Sequence, residues 1–333
     1  MTETSIQPGA PGHTEAVHAP RGGVEPSPVP SVPVSDATTT AAMTDRDAAR
    51  LRESGRLDEA ATLLRRILDV RPHDVGALAE LGRLRRRQSD RGAALIAFEA
   101  AVAGNQSHAG LKAEMAGELR ELGRIDEAEA VLRGVLESQP QHVDSLVGLA
   151  QIARRRGNRG ASLAMFEAAA TANPDHAGVK AELASDLREL GRLDQAEAVL
   201  RGVLERHPQH VDSLVGLAQI ARRRSDRGTS LAMFQAAATA NPDHAGVKAE
   251  LASDLRELGR LDEAEAVLRG VLERQPRHVD SLVGLAQIAR RRGDRAASLA
   301  MFEAAAAAPG RPEGWPPPPQ ADPSPAGRSR VPL

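Results

Sequence analysis

Apolar side chains recur along this chain at three- and four-residue spacing in short runs, and glycine or proline breaks each run before the next begins. The stretch LRELGRLDEAEAVLRGVLERQP at 255–276 shows the unit. One amphipathic helix ends at Gly259, a second starts around Leu261 and Asp262, and Pro276 closes the pair. The pattern predicts helical hairpins of 34 residues, and from Ala109 the same 68-residue text, two hairpins long, runs three times. A unit of this size cannot bury a helix face alone, so the copies must stack on one another, and the product of stacking is surface.

Outside the repeats the composition changes. Residues 1–40 are rich in Pro, Gly, Ser, Thr and Val, with PSPVPSVPVS at 27–36 and no apolar period, so they are expected to be disordered. Order is expected to begin near Thr44, where T-D-R-D places a capping hydroxyl three residues before Asp47. The repeats run over 41–310, and 311–333 is a proline-rich tail that cannot continue a helix and is expected to be disordered. The last helix, AASLAMFEAAAAA, has no polar capping partner, leaving Leu299 and Phe302 to be covered. Either Trp315 and the prolines fold back, or a second subunit supplies the surface and the chain is a homo-oligomer through its last repeat.

Small residues recur at the eighth place of each unit (Ala48, Gly82, Ala116, Ala150, Ala184, Ala218, Ala252, Ala286), and Ala or Ser at the twentieth (Ala60, Ala94, Ala128, Ser162, Ala196, Ser230, Ala264, Ser298). Proline stands at the thirty-second in Pro72, Pro140, Pro174, Pro208, Pro242 and Pro276. Small residues let two helices approach closely, and the proline stops the second helix. In these features the chain resembles the tetratricopeptide repeat, with eight repeats starting at 41, 75, 109, 143, 177, 211, 245 and 279. It departs from that pattern at Gln106, after Ala308, and where the family's aromatics are replaced, as at Leu146, Ala153 and Leu187. Large rings are left only at Phe98, Phe166, Phe234 and Phe302, which predicts a thin core stabilised by the number of interfaces. The resemblance implies an all-α superhelix, a solenoid of eight hairpins, whose concave groove is lined by positions 2, 5, 9 and 12 of the first helices.

Charge narrows the function classes. The formal net charge is −2, and the repeats hold 39 basic against 39 acidic residues, which argues against general attraction to nucleic acid or a membrane surface. Cysteine is absent, no run of 18 apolar residues occurs, and the N-terminus lacks a basic segment followed by an apolar one, so a cytoplasmic protein is expected. Lysine occurs only at Lys112, Lys180 and Lys248, a bias that suggests a GC-rich bacterial genome. No catalytic or phosphate-binding motif is present, and 109–176 differs from 177–244 at only 12 of 68 positions. A catalytic constellation occurs once, so such symmetry points to multivalent binding, without catalysis or cofactor. Histidine ends successive repeats at His108, His142, His176, His210, His244 and His278. Packed helices lie about 8–10 Å apart while a metal–nitrogen bond is about 2 Å, so neighbouring histidines cannot share an ion, and a role in the turn is expected instead.

Arginine occupies position 12 of every repeat: Arg52, Arg86, Arg120, Arg154, Arg188, Arg222, Arg256 and Arg290. Positions 2, 5, 9 and 12 form one helical stripe, which reads Asp144, Val147, Gln151, Arg154 in an even repeat and Gly178, Ala181, Ser185, Arg188 in an odd one. Gln219 and Gln287 match Gln151, and Ser253 matches Ser185. Around Arg188 no acid lies three or four residues away, whereas Arg222 and Arg290 have Asp226 and Asp294. Unpaired guanidiniums along a groove would grip an extended acidic peptide, while pairing between repeats, for instance with Asp212, would silence them. The arginine triplets at 154–156, 222–224 and 290–292 lack interleaved aromatics and are expected to be solvated helix ends, without bound nucleic acid. The expectation is a non-catalytic protein-interaction scaffold for a protein or peptide ligand. The alternative is a docking subunit for a separate glycosyltransferase, since similar arrays accompany such enzymes.

Overall fold

The computed structural model describes residues 44–308, which contain sixteen α-helices and no strand. In repeats 1 to 4 the hairpins are α1 (Asp45–Glu53) with α2 (Leu57–Val70), α3 (Val75–Arg87) with α4 (Arg91–Gly104), α5 (Ala109–Glu121) with α6 (Ile125–Ser138), and α7 (Val143–Arg155) with α8 (Arg159–Ala172). In repeats 5 to 8 they are α9 (Ala177–Glu189) with α10 (Leu193–Leu204), α11 (Val211–Arg223) with α12 (Arg227–Ala240), α13 (Ala245–Glu257) with α14 (Leu261–Arg274), and α15 (Val279–Arg291) with α16 (Arg295–Ala306). Helix α1 begins directly after Thr44. The flanks expected to be disordered, together with Trp315, lie outside the described residues.

Each helix packs on its hairpin partner, and each second helix packs on the first helix of the next repeat. First helices also meet directly from an odd repeat to the following even one, as α9 meets α11. The approach depends on a missing side chain: at Gly216 a Cβ would stand 2.7 Å from Cδ1 of Leu200, which is itself buried. The small residues at positions 8 and 20 are buried throughout, Ala150, Ala196 and Ala218 completely. The core is divided into modules, and their boundaries are not those of the sequence period. One cluster joins Leu146, Leu163 and Phe166 of repeat 4 to Val179, Leu183, Leu187 and Leu200 of repeat 5. The next joins Leu214, Leu231 and Phe234 of repeat 6 to Val247, Leu251, Leu255 and Leu268 of repeat 7.

Every first helix ends in the same reversal. In repeat 5 the amide of Gly191 donates to the Arg188 carbonyl at 3.1 Å and that of Arg192 to the Leu187 carbonyl at 2.8 Å, with Gly191 at a φ of 77°. Glycine holds this left-handed position in six repeats, but Ser89 and Ser225 occupy it at φ values of 64° and 63°. A Cβ there is strained against the following carbonyl. Ser89→Gly and Ser225→Gly are each expected to stabilise the array by about 0.5–1 kcal/mol, the relief of strain being partly offset by the freer unfolded chain. Thermal unfolding checks this, with Gly157→Ser as the reciprocal change that should lower the midpoint.

Candidate interaction groove

The six histidines serve the turns. Each is the N-cap of the helix that follows, and its Nδ1 accepts the amide of the residue three places on, Val179 for His176 and Ser213 for His210, at 3.2–3.3 Å. The interaction satisfies one of the orphan amides of a helix start.

The arginines at position 12 divide into two classes. In repeats 2, 4 and 6 they are clamps between neighbours. Arg154 donates from Nε to Oδ1 of Asp186 at 3.0 Å and from Nη1 to Oε2 of Glu182 at 2.7 Å, and its guanidinium lies 5.0 Å from the centre of the Phe166 ring. Asp186 is fully buried and is also held by Arg159 at 3.0 Å and by the Ser162 hydroxyl. Arg222 repeats the arrangement with Asp254, Glu250 and Phe234, while Arg227 and Ser230 complete the set around Asp254. Burial works against the charge of Arg222, yet the hydrogen bond to Glu250 and the fields of Asp254 and Glu250 more than offset it, and its pKa lies above the ordinary arginine range. Asp226 and Asp294, the acids four residues beyond Arg222 and Arg290, do not pair with them. They cap α12 and α16 instead, accepting the amides of Thr229 and Ala297 at 2.9 Å, because the reversal after the first helix turns them away.

In repeats 3, 5 and 7 the partners are mostly neutral, whereas Arg52 of repeat 1 is paired with the buried Glu80 at 3.1 Å. Arg120, Arg188 and Arg256 donate to the side-chain oxygens of Gln151, Gln219 and Gln287, and Arg256 also reaches Ser253 Oγ at 3.3 Å and Arg188 reaches Ser185 Oγ at 3.5 Å. Their only carboxylates among the described residues are the adjacent Glu121, Glu189 and Glu257, at 3.1, 3.3 and 3.6 Å. Burial is the largest influence on Arg256 and is not made good by Glu257, so its pKa falls below the ordinary value.

Around α9 the stripe forms an open bay of about 430 Å³, a volume within the range of small-ligand sites. Helix α7 contributes Asp144, Val147 and Gln151, α9 contributes Gly178, Ala181, Ser185 and Arg188, and α11 contributes Asp212, Val215 and Gln219. A second bay around α5 gathers Ala113, Gly117 and Arg120 with Asp144, Val147 and Gln151. The structure thus brings the sequence-predicted stripe together, and places its even arginines, Arg154 and Arg222, in the clamps beside it. Arg290 is exposed and has no ion-pair partner among the described residues. Asp144, Asp212 and Asp280 are exposed too, and none pairs with an arginine among the described residues. The pairing that silences part of the ladder comes from Glu182, Asp186, Glu250 and Asp254 instead.

Apart from Arg290, the triplets are committed to the array. Arg155 donates to the Arg120 carbonyl at 2.8 Å and to Glu121 at 3.1 Å, while Arg156 bridges Asp126 and Glu129 at 2.6 and 2.5 Å. Arg223 and Arg224 make the same contacts with Arg188, Glu189, Asp194 and Glu197. They are cross-links between repeats, where solvated helix ends were expected.

Tetratricopeptide repeat models match residues 48–109, 114–177 and 249–312, and a second such model matches 153–220. The chain belongs to the tetratricopeptide repeat family. Its fold is shared with solved structures of low sequence identity. A tetratricopeptide repeat protein from Parabacteroides merdae is 17% identical over 70% of this chain and 92% of its own, with a TM-score of 0.55. Pseudomonas aeruginosa PilF is 18% identical over 62% of this chain and 94% of its own, with a TM-score of 0.52. Yeast Tom70 is 17% identical over 75% of this chain and 54% of its own, with a TM-score of 0.60. Comparison with curated proteins gave no match. Among the described residues no helix of this tetratricopeptide array is long and apolar enough to cross a membrane.

Proposed function

We propose that the chain is a non-catalytic protein-interaction scaffold whose bays receive an extended segment of a partner. The observation that carries the reading is the difference between the two arginine classes. Arg154 and Arg222 are saturated by buried or half-buried carboxylates, whereas Arg120 and Arg188 line the bays with an amide and one flanking glutamate for partners, and Arg256 has the same kind of partners. An incoming carboxylate therefore gains most at Arg120, Arg188 and Arg256. The free carboxylates of Asp144 and Asp212 at the rim of the same bay favour a basic residue beside that acid. The expected ligand is a segment of mixed charge, with an acidic residue for each bay, and several weak contacts in register add through effective concentration. The narrower expectation of a purely acidic peptide does not account for the aspartate rim. The glycosyltransferase alternative rests on likeness between arrays alone, and co-purification with such an enzyme is its test.

Selection of a random eight-residue peptide library on the purified chain tests the reading. Enriched peptides should carry Asp or Glu with Lys or Arg close by. The Arg120→Gln, Arg188→Gln, Arg256→Gln variant should lose the acidic preference, and Asp144→Asn with Asp212→Asn the basic one. Enrichment unchanged in both variants would remove the bays from the site.

A further inference from the structure

Three times inside the array the trailing edge of an even repeat receives a carboxylate from the next repeat. Glu118 sits between Arg86 and Arg91, Asp186 among Arg154, Arg159 and Ser162, and Asp254 among Arg222, Arg227 and Ser230. All three carboxylates are buried. The eighth repeat carries the same set in its sequence, Arg290, Arg295 and Ser298, with Phe302 at the ring position. No carboxylate reaches these arginines among the described residues. Arg290 and Arg295 are exposed where Arg154 and Arg159 are half-buried, and Phe302 is partly exposed where Phe98, Phe166 and Phe234 are fully buried. In sequence these four residues stand where Arg154, Arg159, Ser162 and Phe166, and Arg222, Arg227, Ser230 and Phe234, build the two internal sites that a buried aspartate fills.

We propose that this edge docks an amphipathic helix of a different protein, one that carries two carboxylates four residues apart. The internal sites define the code. Glu182 and Asp186 on α9, like Glu250 and Asp254 on α13, stand at that spacing, with Val179, Leu183 and Leu187 supplying the apolar face on α9. The sequence following Ala308 does not provide such a helix, since its longest proline-free stretch runs only from 326 to 331. The leading helix of a second copy does not either, because α1 carries Arg46 and Arg50 where α9 carries Glu182 and Asp186. That reversal of charge opposes arginine to arginine and blocks end-to-end stacking of the chain on itself. Two trailing edges would oppose arginines in the same way.

The probe is a labelled synthetic peptide of residues 176–209, which spans α9 and α10, titrated onto the full chain by fluorescence anisotropy. Saturable binding is expected, and Arg290→Glu with Arg295→Glu in the chain should weaken it by about tenfold or more. A peptide carrying Glu182→Arg and Asp186→Arg should fail on the native chain and recover binding on the doubly substituted one. That rescue separates a docking edge from non-specific adhesion, and the exposure of Arg290 and Arg295 leaves the fold unaffected. Binding that ignores these substitutions overturns the proposal. So does binding that appears only after removal of 309–333, which makes the tail the occupant, or concentration-dependent self-association abolished by Arg290→Glu, which makes it a second copy. No binding by either the full or the shortened chain overturns it as well.

Discussion

Asp186→Ala is expected to cost the array about 3–5 kcal/mol, because it leaves two half-buried guanidiniums without their shared carboxylate. Asp186 has no exposed surface and takes hydrogen bonds from Arg154, Arg159 and Ser162, all across one inter-repeat junction. Its removal strands positive charge that the fold has already taken out of water, and the Ser162 hydroxyl loses its partner in the same step. Glu182 provides the internal control. It contacts the same Arg154 but is 42% exposed, so Glu182→Ala should cost no more than about 1 kcal/mol. Asp254→Ala should reproduce the loss at the next equivalent junction, and the double variant should lose nearly the sum, since the two carboxylates share no partner. Urea unfolding followed by circular dichroism reads all four variants. Equal costs for Asp186→Ala and Glu182→Ala would mean that the clamp is ornamental and that the junction is held by apolar packing alone.

These clamps mark the boundary of what the sequence makes legible. The hairpins, their period and the close-packed positions follow from Gly191, Pro174 and Ala184 and their repeats, because each of these acts within one helix or one turn. The stripe that lines the bay is legible for the same reason: Ala181, Ser185 and Arg188 lie on one face of one helix. Asp186 is not. On its own helix it neighbours Ser185 and Arg188 and reads as a solvated residue, and Ser162 reads as merely small at a position shared by alanine and serine. Their meeting depends on the register between helices 24 to 32 residues apart in sequence, which no single-helix pattern encodes. One signal was available. Arg159, Ser162 and Asp186 recur together as Arg227, Ser230 and Asp254, while positions around them vary between copies. Likewise, Asp226 lies at the right separation in sequence to pair with Arg222, but the left-handed residue between them, Ser225, redirects the chain.

Phe234→Ala is expected to cost about 3–5 kcal/mol, close to the largest loss a single truncation gives, because the ring is the one aromatic side chain of its core module. Its neighbours include Ala218, Ala237, Ala252 and Ala264. Alanine has no rotamer with which to close a void, so the cavity should persist where a core of longer side chains would relax. The guanidinium of Arg222, 4.9 Å from the ring centre, loses its aromatic face as well, adding about 0.5–2 kcal/mol to the disruption of the Asp254 clamp. Phe302 occupies the same position in the eighth repeat but is partly exposed and has no repeat stacked beyond it among the described residues. Phe302→Ala should therefore cost about half as much or less, since the transfer of a half-covered ring contributes less and its cavity opens to solvent. The pair isolates the contribution of stacking from that of the hairpin itself, because the two rings share the local sequence SLAMF. If both truncations lowered stability equally in urea unfolding, the ring would act within its own hairpin, and nearest-neighbour burial would not be what holds this solenoid together.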